Sequence, residues 1–348
     1  MHVRFAPLRH RVVTAAVSLV FACAAGAAQA DKVAEFYKGK SLTIAVGHQT
    51  GTGFDLYARV LARHYGAHIP GNPEVVVQNM TGASGLRALN WLANVGPKDG
   101  TAIATMTFTA PFEPLLGAGA GQFDATKLTW IGNMDASVSV CGVSSKSGIE
   151  KFDDVFEREL VVGATGGTGP FIQVPTALKK LLGARINIVA GYQGSRSVNV
   201  AIQRGEVAGA CGPSLSTVRT QYADLQKAGD FNLILQVGPE PHPDLKDVPH
   251  VYQYAKTDED RQIFDLIFGI QGLGRAYMGS GDIPADRAAA LQKAFMDAMS
   301  DPALLAEADK INLDIRPQSG PDVAAFIKRV YATPKHLVER AKEAVKVD

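Results

Sequence analysis

The sequence predicts an α/β protein built from two similar domains. Three observations carry that expectation. Strands and helices alternate from Ser41 onward. The alternation pauses near residues 125–137 and starts again. Each half places a glycine- and hydroxyl-rich turn between the end of a strand and the start of a helix.

In the first half, Ser41 to Val46 (SLTIAV) is rich in β-branched and apolar residues and reads as a strand. A polar loop from Gly47 follows, with Asp55 where an N-cap would sit and Tyr57, Val60 and Leu61 at helical spacing beyond it. Val75–Val77 is a second strand, stopped by Thr81-Gly82. Leu86, Leu89 and Leu92 mark a helix ending near Gly96-Pro97, and Thr101–Met106 is a third strand. In the second half, Val138–Val143, Leu160–Val162, Ile186–Val189, Val207–Cys211 and Phe231–Val237 read as strands. Helices are expected after Gly169, over Ser195–Gln203 and over Ser214–Ala228. Past the proline-rich run Pro239–Pro243 the pattern is mainly helical: Asp258–Ile270, Ala285–Met299, Pro302–Lys310 and Pro321–Val345. That tail holds too little sheet for a third domain and is expected to pack back on the first.

The first thirty residues set the compartment. Arg4, Arg9 and Arg11 precede an apolar run from Val12 to Ala25, and Ala28-Gln29-Ala30 supplies small residues around a cut. This is the order of a cleavable secretory signal, residues 1–30. The run is short for a bilayer span, which needs about 20 apolar residues. Lipid attachment at Cys23 ranks below simple cleavage because Phe21 is bulky for such a site. The leader carries three of the 35 Lys+Arg and none of the 34 Asp+Glu, leaving 32 against 34 and a formal charge of −2. A near-neutral chain without a basic cluster argues against nucleic acid as a partner. Two cysteines remain, Cys141 and Cys211. In an oxidising compartment they could form a disulfide or stay as two small buried residues.

Chemistry is expected at the two strand–loop–helix turns. One is Gly47-His48-Gln49-Thr50-Gly51-Thr52-Gly53-Phe54-Asp55, the other Ala164-Thr165-Gly166-Gly167-Thr168-Gly169. Glycines let a ligand approach the backbone, threonines add hydroxyls, and the free amides of a helix start attract an anion. One such loop is ordinary turn chemistry; two, one per half, fit a ligand held between domains. Lesser loops, Asn79–Gly85 and Gly191–Ser195, occupy equivalent places. Enzyme signatures are poor: there is no dinucleotide or P-loop glycine pattern, Ser84 is not in a nucleophile elbow, and no Cys/His cluster has zinc spacing. His64 and His68 read as helix-end residues. No cofactor and no metal are expected.

Several ordered motifs now matter together: Gly51-Thr52-Gly53-Phe54-Asp55-Leu56-Tyr57-Ala58-Arg59, His68-Ile69-Pro70-Gly71-Asn72-Pro73, Val77–Gly85, Pro97-Lys98-Asp99-Gly100-Thr101, Gly191–Ser195, Arg204-Gly205-Glu206-Val207 and Asp247-Val248-Pro249. They resemble the Bug-type periplasmic substrate-binding proteins of tripartite tricarboxylate transporters, across essentially the whole mature chain. The resemblance implies a two-lobed periplasmic binding protein fold (type II-like) with a ligand cleft between the lobes. It implies a small carboxylate held by main-chain amides, hydroxyls and water, without a dedicated arginine clamp. It also places Cys141 and Cys211 on neighbouring strands. The chain departs from the family where the first loop lacks prolines and three consecutive glycines, and where Val207–Gly212 lacks the usual acidic residue. Both departures fall on the expected ligand surface.

The expectations are then concrete. Lobe one comprises residues 31–135 plus 240–348, and lobe two residues 136–239. Ligand contacts come from Gln49, Thr50, Gly51, Thr52, Gly53, Asp55, Ser84 and Phe108 in the first lobe. The second supplies Thr165, Gly166, Gly167, Thr168, Gly169, Tyr192, Gln193 and Ser195. The protein is expected to be a monomeric periplasmic receptor that hands a carboxylate to membrane permease subunits. A periplasmic sensor, or less readily a secreted hydrolase, is the alternative.

Overall fold

The computed structural model describes residues 32–116, 119–136, 138–165 and 169–346. The expected signal segment 1–30 with Cys23, and the expected contacts Gly166, Gly167 and Thr168, lie outside the described residues.

Eleven strands among the described residues form two sheets. The first has the order β11-β4-β10-β3-β1-β2, where β1 is Ser41–Val46, β2 Glu74–Asn79, β3 Ala102–Thr105, β4 Thr129–Asn133, β10 Ala276–Gly279 and β11 Gln318–Ser319. The second has the order β7-β6-β8-β5-β9, where β5 is Ser139–Ser144, β6 Leu160–Thr165, β7 Ile186–Tyr192, β8 Gly209–Ser214 and β9 Phe231–Val237. β1 is parallel to β2 and β3, and β6 to β7 and β8, as βαβ connections require. Both sheets are mixed, however: β10 runs antiparallel to β3 and β4, and β5 runs antiparallel to β8 and β9. Two mixed sheets with packed helices make the two-lobed α/β architecture.

The main helices are α1 Gly53–His68, α2 Leu86–Asn94, α3 Pro170–Leu182, α4 Ser195–Gln203, α5 Leu215–Gln221, α6 Asp258–Ile267, α7 Ala285–Met299, α8 Pro302–Lys310, α9 Gly320–Tyr331 and α10 Lys335–Val345. α7 presses on β4 at Gly132, where an added Cβ would come within 2.4 Å of the Phe295 ring. Glycine is therefore what lets helix and sheet close at that point.

Three expectations need correction. The strands β4, β10 and β11 went unseen in segments read as connection or helical tail. The helix expected over Ser214–Ala228 breaks at Tyr222, whose buried ring sends its hydroxyl to the Ser195 carbonyl at 3.1 Å. Pro321–Val345 is two helices, because Pro334 disfavours helical geometry at the residue before it. The last helix, α10, packs on α6, on Glu113–Leu116 of the first half and on α3 of the second, burying Leu337, Val338, Ala341 and Ala344.

One apolar cluster consequently reaches across the molecule, from Leu89 and Ala104 through Phe264 and Phe268 to Val174, Leu178 and Cys141. Cys141 and Cys211 face each other on β5 and β8 and are joined as a fully buried disulfide. Among the described residues no helix is long and apolar enough to cross a membrane.

Candidate ligand-binding site

The carboxyl ends of β1, β2 and β3 lie side by side, so the loops after them meet. A Cβ on Gly47 would stand 2.6 Å from the Gly85 Cα and 3.0 Å from the Met106 Cβ. The β1 loop can touch both neighbours only with glycine there. Gly85 itself holds φ +93°, a left-handed conformation that a side chain would strain. His48 Nε2 lies 2.7 Å from Thr107 Oγ1, and its ring stacks on Phe54 at 4.3 Å and 6°. Burial, and then the nearby Arg275 charge, push the His48 pKa down to about 4. The imidazole is therefore neutral at physiological pH.

Asp55 is the fixed point of the first loop. It is not the N-cap, which is Thr52; it occupies the third helical position and is 1% exposed. Its carboxylate accepts from Gly51 N at 2.8 Å, Asn79 Nδ2 at 2.9 Å, Arg59 Nε at 3.0 Å and Arg59 Nη2 at 2.9 Å. Burial alone would raise its pKa. The hydrogen bonds from Arg59, Gly51 and Asn79 outweigh burial and hold the carboxyl below its ordinary range. Both oxygens are thus turned inward to the loop and helix. Thr52 Oγ1 donates to the Gln49 carbonyl at 2.8 Å, and Thr50 Oγ1 donates to Asn79 Oδ1 at 3.2 Å. Gln49, Thr50 and Gly51 form the exposed rim. Ser84 lies in the single turn Ala83–Gly85, and Phe108 is half-buried against the core.

In the second half, Thr165 ends β6 and Gly169 precedes α3. Gly212, with φ +109°, lets β8 approach the start of α3, where a Cβ would meet the Pro170 carbonyl oxygen at 2.3 Å. Tyr192 ends β7 half-buried, its ring near Gly163, while Gln193 is exposed. Ser195 Oγ donates to Gln221 Oε1 at 2.5 Å, fixing the start of α4.

The amino ends of these helices share one property. The residues preceding α1, α2, α3 and α4 are Thr52, Gly85, Gly169 and Gly194, and no side chain caps any of them. Ser214, Thr257, Asp301 and Ser319 cap α5, α6, α8 and α9, while α7 and α10 follow Pro284 and Pro334 and are likewise without a side-chain cap. The starts of α1, α3 and α4 leave first-turn amides without a side-chain acceptor, whereas at α2 the Leu86 and Arg87 amides already turn to the Ala83 and Gly82 carbonyls. A cavity of about 720 Å³ lies between Leu86 and Thr109 of the first half, Gln173 of α3, and Leu266 and Ala341 of α6 and α10, and none of the residues expected to contact ligand lines it. A hollow of similar size lies along the outer edge of β2, away from these loops.

No protein-family profile and no curated relative matches the sequence. Solved structures do. A TctC solute-binding protein from Polaromonas superimposes with a TM-score of 0.68 at 16% identity, over 87% of this chain and 99% of that one. An R. palustris protein solved with adipate gives 0.58 at 18% identity, over 87% and 97%. MatC from Rhodopseudomonas palustris with bound malate gives 0.57 at 16% identity, over 88% and 99%. The chain has the fold of the TctC-type solute-binding proteins. Within the TctC fold, the described part of the two glycine loops lies at strand ends and helix starts, and sequence reading had singled out both loops. The scaffold behind them, Arg59 and Asn79, was quoted in the motifs but given no role.

Proposed function

We propose that the protein is a periplasmic solute receptor that binds a small carboxylate between lobe one (residues 31–135 plus 240–348) and lobe two (136–239). It then presents the ligand to the permease subunits of a tripartite tricarboxylate-type transporter. The observation that carries this reading is the set of helix starts α1, α3 and α4, drawn from both lobes, each without a side-chain cap and approached by a glycine-bearing loop. Main-chain amides with a positive helix end suit a carboxylate. Neighbours of the same fold solved with adipate and malate support the ligand class. In this reading the rim residues Gln49, Thr50, Gly51, Thr52 and Gly53 meet Thr165–Gly169, Gln193 and Ser195, with Phe108 and Tyr192 shaping the pocket. Asp55 positions the first loop from behind. Closure of the lobes on ligand shifts the population to the form the permease recognises.

A hydrolase reading has one observation in its favour, the Thr107–His48 hydroxyl–imidazole contact. A histidine with a pKa near 4 is a weak base at neutral pH, which argues against it.

The test is thermal unfolding of the mature protein with mono-, di- and tricarboxylates and their neutral amides. Ligand at 100 times its Kd adds about 2.7 kcal/mol, roughly 5–10 °C here. A shift for one acid and none for its amide supports the receptor; equal shifts, or none across the panel, would sink the carboxylate reading. Turnover of the bound acid would favour the hydrolase.

A further inference from the structure

Arg275 immediately precedes β10. Because β10 runs antiparallel to its neighbours, its first residues lie where β3 and β4 end, with Ala276 opposite Asn133 and Tyr277 opposite Thr105. The Arg275 backbone N–H is fixed by Asn133 Oδ1 at 2.9 Å. Its side chain runs to the start of α1, where the guanidinium carbon lies 4.5 Å from the Phe54 ring centre and 4.7 Å from that of Tyr57. Nη2 stands 3.0 Å from the place a Cβ on Gly53 would take, so glycine at 53 leaves room for it.

The donors of this guanidinium are incompletely used. Nη1 donates to the Gly274 carbonyl at 2.6 Å, while Nε is buried and has no partner. Among the described residues no carboxylate lies within ion-pair distance. Asp135, near enough to feel the charge, is itself paired with Arg316 at 3.3 Å. Nε and Nη2 together form the side-on fork that fits both oxygens of one carboxylate. Arg59, on the same helix start, shows that fork closed, with Nε and Nη2 on Asp55. On Arg275 Nε has no acceptor, and since it is buried it meets one only when the groups around it part. A guanidinium does not give up its charge, and the amino end of α1 adds to the positive potential.

We infer that Arg275 is the cation of the ligand site, taking a carboxylate of the ligand side-on through Nε and Nη2 beside the first-turn amides of α1. This rests on the carboxylate reading above and makes it specific. It replaces the expectation that amides and hydroxyls suffice with one fixed arginine, supported by Phe54, Tyr57 and Asn133.

Calorimetric titration with the carboxylate panel, adipate and malate included, tests it on the wild type, Arg275→Met, Arg275→Lys and Gly53→Ala. For an acid the wild type binds, Arg275→Met should weaken affinity by about 30-fold or more and Arg275→Lys by about tenfold, since the fork is lost while the charge stays. Gly53→Ala retains Arg275 but displaces its Nη2, and should weaken binding without removing any polar group. The free variants should unfold within a few degrees of wild type, as an unpaired cation adds little to the empty fold. Bound acid should also raise the His48 titration point in wild type and not in Arg275→Met. Wild-type affinity in both Arg275→Met and Gly53→Ala overturns the inference and leaves the receptor reading standing. A wild type silent to every acid overturns both.

Discussion

Asp135 and Arg316 tie the first crossing between the sheets to the segment leading into β11, with Arg316 Nε 3.3 Å from Asp135 Oδ1 and Nη2 on the Ala136 carbonyl. Asp135 is 4% exposed, and burial raises its pKa to about 6 although Arg316 and Arg275 pull it down. An acid with a raised folded pKa weakens the fold once it ionises. Its contribution is unfavourable above pH 6 and fades as the pH falls toward the unfolded value near 4. The difference in unfolding free energy between wild type and Asp135→Asn should therefore shift in favour of wild type by about 2–3 kcal/mol from pH 7 to pH 4. A difference independent of pH would show that Asp135 titrates normally.

Asp55 gives the opposite sign. Its lowered pKa makes it stabilising above about pH 4, and that contribution is lost as acid protonates it. Asp55→Ala leaves Gly51, Asn79 and Arg59 donors without their acceptor and should cost about 2 kcal/mol in denaturant titration. It should weaken ligand binding in the same preparation, since the Gly51 rim is held from behind by this carboxylate. Intact affinity in a destabilised variant would separate the loop from the site.

Gly169 has an extended backbone, φ −81° and ψ 175°, and open space around its Cα. Asp fits there and would cap α3. Gly169→Asp should stabilise the free protein by up to about 1 kcal/mol and abolish carboxylate binding, by occupying the amides and repelling the ligand. Stability and affinity moving in opposite directions is the signature; parallel changes would remove the start of α3 from the site.

The Cys141–Cys211 disulfide spans a separation of 70 residues. In the chain-entropy picture it stabilises by roughly 4 kcal/mol, so the double Cys→Ser variant should unfold about 5–15 °C lower. Calorimetry of the wild type and the double variant reads this directly, and an unchanged midpoint in the variant would mean the bridge adds nothing.

The βα units were legible because their strands are long and apolar and their helices begin after glycine loops. β4 and β10 were not. Thr129–Asn133 (TWIGN) and Ala276–Gly279 (AYMG) are short and carry glycine, and their strand character comes from the neighbours they lie between. The ligand face was legible at its glycines for the same local reason. Arg275 was invisible, because only the antiparallel insertion of β10 carries it to the start of α1. Asp55 stands three positions past the N-cap: acid near a helix start is a local signal, but which amide it serves depends on where Asn79 and Arg59 stand.

The seating of α10 on α3 has a mechanical consequence. α7 and α9 rest on the first sheet, while the chain's final helix touches α6, Glu113–Leu116 of the first half and α3 of the second. The halves are therefore joined by the backbone passing between them and by a shared apolar cluster to which Leu337, Val338 and Ala341 belong. Parting them by simple translation would open that cluster and expose its apolar surface. Any relative movement of the halves that keeps this packing closed avoids that cost, which makes α10 a brace between them rather than a loose end.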